Sequence, residues 1–130
     1  MGKINFKIVY FVVVIAILII SFIPGWDVSR HHILAFRFEL RLDYFAHAVI
    51  FTGLVILNML YFNQKFGVLL MKHIALVTLL SFVLALFSEG VQFFIPGRAF
   101  NLMDIFFDMV GIILGLPISL LIVRIVLVKR

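Results

Sequence analysis

Residues 89–111 read EGVQFFIPGRAFNLMDIFFDMVG, and they decide the fold. The stretch lies between two long apolar runs and contains several polar residues. The stretch holds one glutamate, one glutamine, one arginine and two aspartates. Pro96 and Gly97 break a helix and favour a tight turn. The stretch therefore predicts two helices joined by a short turn, with acidic side chains near the joined ends.

The whole chain of 130 residues is apolar, with 65% hydrophobic residues, 13% charged residues and a mean hydropathy of +1.29. Soluble globular domains carry roughly 25% charged residues, so this composition indicates a membrane protein. The sequence contains no cysteine, which excludes disulfides and thiolate metal sites. Its net charge of +5 comes from scattered basic residues without the basic stripe of nucleic-acid-binding proteins, so no nucleic-acid partner is expected.

Four apolar runs are long enough to be membrane spans, because about 20 residues cross a ~30 Å hydrocarbon core as a helix. They cover residues 8–23, 44–62, 74–95 and 102–128. Lys3 and Lys7 precede the first run as in a signal peptide, but no small-residue cleavage site follows, so we expect a retained span. The linkers are short, which predicts one domain over residues 1–130 with an all-α fold, a four-transmembrane-helix bundle.

The orientation follows from the basic residues, because Lys and Arg in short loops remain cytoplasmic. With both termini cytoplasmic, the inner side holds seven of them (Lys3, Lys7, Lys65, Lys72, Arg124, Lys129 and Arg130) and the outer side four (Arg30, Arg37, Arg41 and Arg98). All six acidic residues then belong to the outer loops or the outer halves of the spans. We predict a multi-pass protein of the bacterial cytoplasmic membrane. Residues 26–43, where apolar residues alternate with arginines, are expected to lie on the outer surface near lipid head groups.

Polar residues recur at helical spacing on three predicted spans, at a similar depth from the outer side. They are Asp43 and His47 on the second, Glu89 and Gln92 with Ser88, Ala85 and Ser81 on the third, and Asp104 and Asp108 with Gly111 and Gly115 on the fourth. Residues three or four apart share one helix face. Glu89 and Asp108 each lie roughly 9 Å inside the predicted end of their helix, at 1.5 Å per residue, so we expect the two carboxylates to meet.

These acids must face the bundle, because a charged side chain near the bilayer centre costs about 2.5 to 3.5 kcal/mol on the insertion scale. Arg98, on the turn between the third and fourth spans, is the expected counter-charge. Its guanidinium can bind two carboxylates, or a carboxylate and a phosphate. The sequence thus predicts a polar pocket that opens outward.

Two further features bear on ligands and assembly. A set of mostly oxygen ligands that would suit Mg or Ca is present, namely Asp43, His47, Glu89, Asp104 and Asp108. No dense ligand spacing such as H-E-x-x-H accompanies them, so neither a metal nor another cofactor is expected. Gly111 and Gly115 form a G-x-x-x-G motif, which permits close helix approach. We expect the motif to pack within the chain, and a homodimer stays open.

The order of these residues resembles the VanZ-like family of bacterial membrane proteins over about residues 5–125. The resemblance is carried by Asp43 and His47 on one helix, by EGVQFFIPGR at 89–98 and by NLMDIFFDMVGIILG at 101–115. Tyr44 stands where a lysine often follows the Asp, and Asp108 stands where the family pattern has an asparagine. The resemblance implies a four-helix integral membrane protein, and the family's named member is associated with resistance to the glycopeptide antibiotic teicoplanin. It brings no defined biochemical activity.

Three functions are open at this point. The first is a cell-envelope protein that binds or modifies an anionic lipid or lipid-linked precursor, and that contributes to glycopeptide resistance. Its candidate catalytic residues are Asp43, His47, Glu89 and Asp104, and its candidate ligand-binding residues are Gln92, Arg98, Asn101 and Asp108. The second is a non-catalytic module whose acid–arginine network only holds the helices together. The third is a proton-coupled transporter, which with four helices and no evident inverted repeat requires a dimer. No nucleophile motif decides whether a reaction is catalysed.

Overall fold

The computed structural model describes residues 6–22, 32–35, 38–67, 71–95 and 100–128. The helices are α1 (Phe6–Phe22), α2 (Leu42–Phe66), α3 (Met71–Gln92) and α4 (Leu102–Val128). Two short strands, β1 (His32–Ala35) and β2 (Phe38–Arg41), lie between α1 and α2. The four predicted helices are confirmed, and the strands are the one departure from an all-α fold within these residues.

The strands form an antiparallel hairpin in the segment that was expected to lie on the membrane surface. His32 is opposite Arg41, and Ala35 is opposite Phe38. Ile33 and Phe38 belong to the residue types that strands favour. Because β2 ends at Arg41 and α2 begins at Leu42, the hairpin leads directly into the second helix.

Three helices are long and apolar enough to cross a membrane, over Tyr44–Phe66, Met71–Gln92 and Leu102–Ile125. This is the pattern of a multi-pass membrane protein. Helix α1 has 17 residues. At 1.5 Å per residue it extends about 25 Å, less than the ~30 Å of a hydrocarbon core. A fourth span and the cytoplasmic position of the termini therefore stay predictions.

The helix ends differ from the predicted ends where turns intervene. Helix α2 runs to Phe66, and Gly67 follows it with a positive φ of 71°, the conformation that ends many helices. Helix α3 ends at Gln92, because the N–H groups of Phe94 and Ile95 donate to carbonyls three residues back, as in a tightened last turn. Glu89 thus lies about 4.5 Å from its helix end, so the predicted depth of ~9 Å is wrong for Glu89. The bounds of α4 agree with the prediction.

The closest helix contact joins α2 to α4 through the two glycines. A Cβ atom on Gly115 would lie 2.8 Å from Cβ of Val55 and 3.0 Å from the carbonyl oxygen of Thr52. A Cβ atom on Gly111 would overlap the backbone of Ala48. The Thr52 hydroxyl lies 2.7 Å from the Ala48 carbonyl oxygen and 3.0 Å from that of Gly111, so it donates across the same contact. The G-x-x-x-G motif packs within the chain, as predicted.

A small apolar core completes the bundle. Its buried members come from α2, α3 and α4, and they are Phe51, Leu54, Val55, Met59, Val77, Ala85 and Ile112. Tyr10, Val13 and Val14 of α1 pack against this core. The outward faces of the helices carry large exposed apolar side chains such as Val49 and Leu79, which suits contact with lipid.

Candidate functional site

The predicted polar faces of α3 and α4 both point into the bundle. The buried residues of α3 are His73, Val77, Ser81, Ala85, Ser88, Glu89 and Gln92. On α4, Asp104, Asp108, Gly111 and Gly115 are all buried. Spacing alone identified both faces, because residues three and four apart lie on one side of a helix.

His47 and Asp108 form a bridge between α2 and α4. The Nδ1 atom of His47 lies 2.8 Å from Oδ1 of Asp108, the distance of a charge-assisted hydrogen bond. Asp108 is 1% exposed and His47 is 21% exposed. The sequence placed Asp43 beside His47, and the side chain of Asp43 lies outside the described ones. The carboxyl group bonded to Nδ1 of His47 comes from the fourth helix, and the pairing with Asp43 stays a prediction.

The glycine contact explains why His47 meets Asp108. Gly111 lies one turn after Asp108 on α4, and Ala48 directly follows His47 on α2. Since Gly111 rests on the backbone of Ala48, the two helices are held at the height where the imidazole reaches the carboxylate. The register of the two helices thus depends on a glycine rather than on the charged pair alone.

A second set of hydrogen bonds joins α3 to the start of α4. The Asn101 backbone N–H donates to Oε1 of Glu89 at 2.6 Å, and its side-chain amide donates to Oδ1 of Asp104 at 3.1 Å. The side-chain oxygen of Asn101 accepts the N–H of Met103 at 3.0 Å. Asn101 is therefore the N-cap of α4, a role that asparagine favours. The sequence had assigned it to ligand binding, and its cap role explains its position.

These two sets form one cluster. Electrostatic interactions link Glu89 to Asp104, Asp108 and His47, and they also link Asp108 to Asp104. Charges interact more strongly in a low-dielectric interior than in water. We call His47, Glu89, Asp104 and Asp108 the acid cluster. All three carboxyl groups interact electrostatically with the imidazole of His47.

Two oxygen atoms of the acid cluster lack a hydrogen-bond partner. They are Oε2 of Glu89 and Oδ2 of Asp108, and both are buried. Each side chain is 1% exposed and binds the protein through its other oxygen. A buried acceptor left unsatisfied costs about 1 to 3 kcal/mol, and more when it is charged. Both atoms therefore keep hydrogen-bonding capacity that no described residue fills.

The remaining predicted site residues divide into two kinds. Gln92 is the last residue of α3, three residues after Glu89, and it is buried. Arg98 lies outside the described residues, so its role as counter-charge stays a prediction. Within the described ranges, no group of three or more His, Cys, Asp or Glu side chains is placed to hold a metal ion.

Sequence reasoning missed an aromatic pair next to the acid cluster. The rings of Tyr44 and Phe107 stack with centroids 5.1 Å apart and planes inclined by 13°. Tyr44 is 9% exposed and lies three residues before His47, and Phe107 directly precedes Asp108. The spacing of Tyr44 and His47 could have indicated a shared helix face.

Comparison with known proteins gives one finding. The sequence model of the VanZ/LLP1 family matches residues 6–125, a range that includes every residue of the acid cluster. No curated protein and no solved structure matches the chain significantly.

Proposed function

This chain belongs to the VanZ/LLP1 family, and from that premise we propose that it is a cell-envelope membrane protein that binds an anionic lipid or lipid-linked envelope precursor. The observation that supports a binding site is the acid cluster, in which Glu89 and Asp108 each keep one buried oxygen without a partner. Ionisable groups inside a membrane are rare and are functional candidates by default. We place the site near the outer leaflet, where the acidic residues of the predicted topology lie.

Arg98 takes the ligand phosphate in this proposal. It stands between the end of α3 at Gln92 and the start of α4 at Leu102. A guanidinium binds phosphate in a bidentate manner and can bind a carboxylate at the same time. Asp104 orients it, and Gln92 adds a polar group at the end of α3.

His47 is the proposed proton-transfer group, with Asp43 as a further candidate. Its Nδ1 atom is held by Asp108, which fixes the ring orientation. A carboxylate on one ring nitrogen supports acid–base chemistry at the other. The ligand could therefore be modified as well as bound, with Glu89 or Asp104 as the second acid–base group.

Glycopeptide resistance is the cellular effect we propose, because a protein that holds envelope precursors changes what such antibiotics meet at the membrane surface. The proposal places the protein in the bacterial cytoplasmic membrane with four spans, α1 included. Both termini are cytoplasmic, so the turn between α3 and α4 faces outward.

The test compares teicoplanin susceptibility of bacterial cells that express wild type, Arg98→Ala or Arg124→Ala. Arg124 is an exposed arginine near the other end of α4, so it controls for the loss of one positive charge. Membrane levels are matched, and folding is checked by melting in detergent. We expect protection from wild type and Arg124→Ala and none from a folded Arg98→Ala. Absence of protection from wild type refutes the proposed effect.

A structural module is the second candidate, and two contacts favour it. The His47–Asp108 bridge ties α2 to α4, and the Glu89–Asn101 bond ties α3 to the start of α4. If Arg98→Ala and Glu89→Gln both lose their folded state, the network only holds helices together, and the binding proposal fails.

A further inference from the structure

We propose that the acid cluster binds a primary ammonium group of the ligand, between Oε2 of Glu89 and Oδ2 of Asp108. This inference rests on the proposed function and adds a second recognised group. The ligand would carry an ammonium with N–H donors beside the phosphate assigned to Arg98. Head groups and envelope precursors with a free amine have this chemistry.

Unfilled hydrogen-bonding capacity is the first support. Oε1 of Glu89 already accepts the Asn101 N–H, and Oδ1 of Asp108 is already bonded to His47. The second oxygen of each carboxyl group is buried without a partner in the described part of the chain. A primary ammonium has three N–H donors, so one group can satisfy both oxygens.

Charge is the second support. Among the described residues, the carboxyl groups of Glu89 and Asp108 interact electrostatically with each other and with the imidazole of His47. A buried carboxylate is retained when it is paired with a positive group or fully hydrogen-bonded. A neutral hydroxyl supplies a donor without charge, and a quaternary ammonium supplies charge without an N–H. Of these three groups, the protonated amine alone supplies both.

Access is the third support. Glu89 and Asp108 are each 1% exposed, whereas His47 on the same cluster keeps 21% of its surface exposed. Glu89 lies three residues from the end of α3, and Asp108 lies six residues beyond the first residue of α4. The exposed edge of His47 is therefore the side from which a short polar head group would approach the two carboxyl groups.

The experiment measures lipid binding to the purified full-length chain in detergent by native mass spectrometry. Four phosphoglycerides with identical acyl chains are titrated: phosphatidylethanolamine, phosphatidylcholine, phosphatidylglycerol and phosphatidic acid. We expect phosphatidylethanolamine to bind at least tenfold more tightly than phosphatidylcholine and phosphatidylglycerol. Glu89→Gln and Asp108→Asn, which preserve shape, should remove this preference.

Asn63→Ser is the matched control, because Asn63 also has a buried oxygen without a partner, at the opposite end of α2. It should leave the preference unchanged. If Glu89→Gln and Asp108→Asn fail to fold in a detergent melt, the preference of wild type among the four lipids decides. Equal binding of phosphatidylethanolamine and phosphatidylcholine overturns the inference, and so does equal binding of phosphatidylethanolamine and phosphatidylglycerol.

Arg98→Ala separates this inference from the proposed function. If all four lipids bind equally and Arg98→Ala weakens all of them, the phosphate site stands and the ammonium site is refuted. If Arg98→Ala changes nothing while the amine preference still depends on Glu89 and Asp108, the ammonium site stands and the phosphate role fails. If none of the lipids binds, both fail.

Discussion

The contact between α2 and α4 can be tested with two glycine substitutions that differ in their surroundings. In Gly111→Ala the added methyl group would overlap backbone atoms of Ala48, which cannot turn away as a flexible side chain can. In Gly53→Ala the added methyl group meets no atom within 4 Å. Both glycines lie inside helices, so both gain the same helix preference of alanine.

The expected difference follows from three contributions. Overpacking costs about 1 to 3 kcal/mol, and the rigid partner places Gly111→Ala at the upper end. Separation of the helices also breaks the hydrogen bond from Thr52 to the Gly111 carbonyl, which is worth about 0.6 kcal/mol in a membrane protein. The higher helix propensity of alanine over glycine stabilises either variant by up to about 1 kcal/mol, which offsets part of this loss. Gly111→Ala should therefore lose about 2 to 3 kcal/mol of unfolding free energy, and Gly53→Ala should lose none.

The assay is reversible unfolding in mixed micelles with increasing SDS, which gives the free energy of unfolding for each variant. Gly115→Ala should also be destabilised, and by less than Gly111→Ala, because its closest approach, 2.8 Å to Cβ of Val55, is a smaller overlap than the one at Gly111. Equal stability of Gly111→Ala and Gly53→Ala would refute the close approach of α2 and α4.

Three further predictions use the same unfolding assay. His47→Ala leaves the buried carboxylate of Asp108 without its partner and should cost about 3 to 5 kcal/mol, whereas the double variant with Asp108→Asn should recover part of the loss. A double variant as unstable as His47→Ala would contradict this. Asn101→Ala removes the cap on the Met103 N–H and should cost about 1 kcal/mol, while Asn101→Ser keeps an N-cap oxygen and should lie closer to wild type. Thr52→Val keeps the side-chain shape without the hydroxyl and should cost about 0.6 kcal/mol, and a stabilising effect would contradict its bridging role.

Much of the fold could be predicted, because hydrophobic length reports a membrane span directly. The bounds of α4 agree, since Asn101 caps its start and apolar residues continue to Val128. The end of α2 differs because the polar residues after Phe62 leave the apolar run without ending the helix. Gly67 ends it, and a glycine at such a position is the sequence signal to use.

The candidate site could be predicted only in part. Spacing identified the faces that carry Glu89 and Asp108, because periodicity is a property of one helix. The partner of His47 depends on how far α4 is shifted along α2, which no single helix encodes. That shift is determined by the contact of Gly111 with Ala48. The sequence assigned Asp108 to the polar face and to ligand binding, and only the structure shows that its carboxyl group is bonded to His47.

The glycine contact also has a consequence for how the chain is synthesised. Helix α4 leaves the ribosome after α1, α2 and α3, yet its closest partner is α2. Until α4 is inserted, Gly111 and Gly115 do not cover the surface of α2 at Ala48 and Thr52. His47 then also lacks the carboxyl group of Asp108. Helices α2 and α3 can therefore be inserted before the contact between α2 and α4 forms. A chain that stops before Gly111 would leave this surface of α2 uncovered, and membrane quality-control proteases could recognise it.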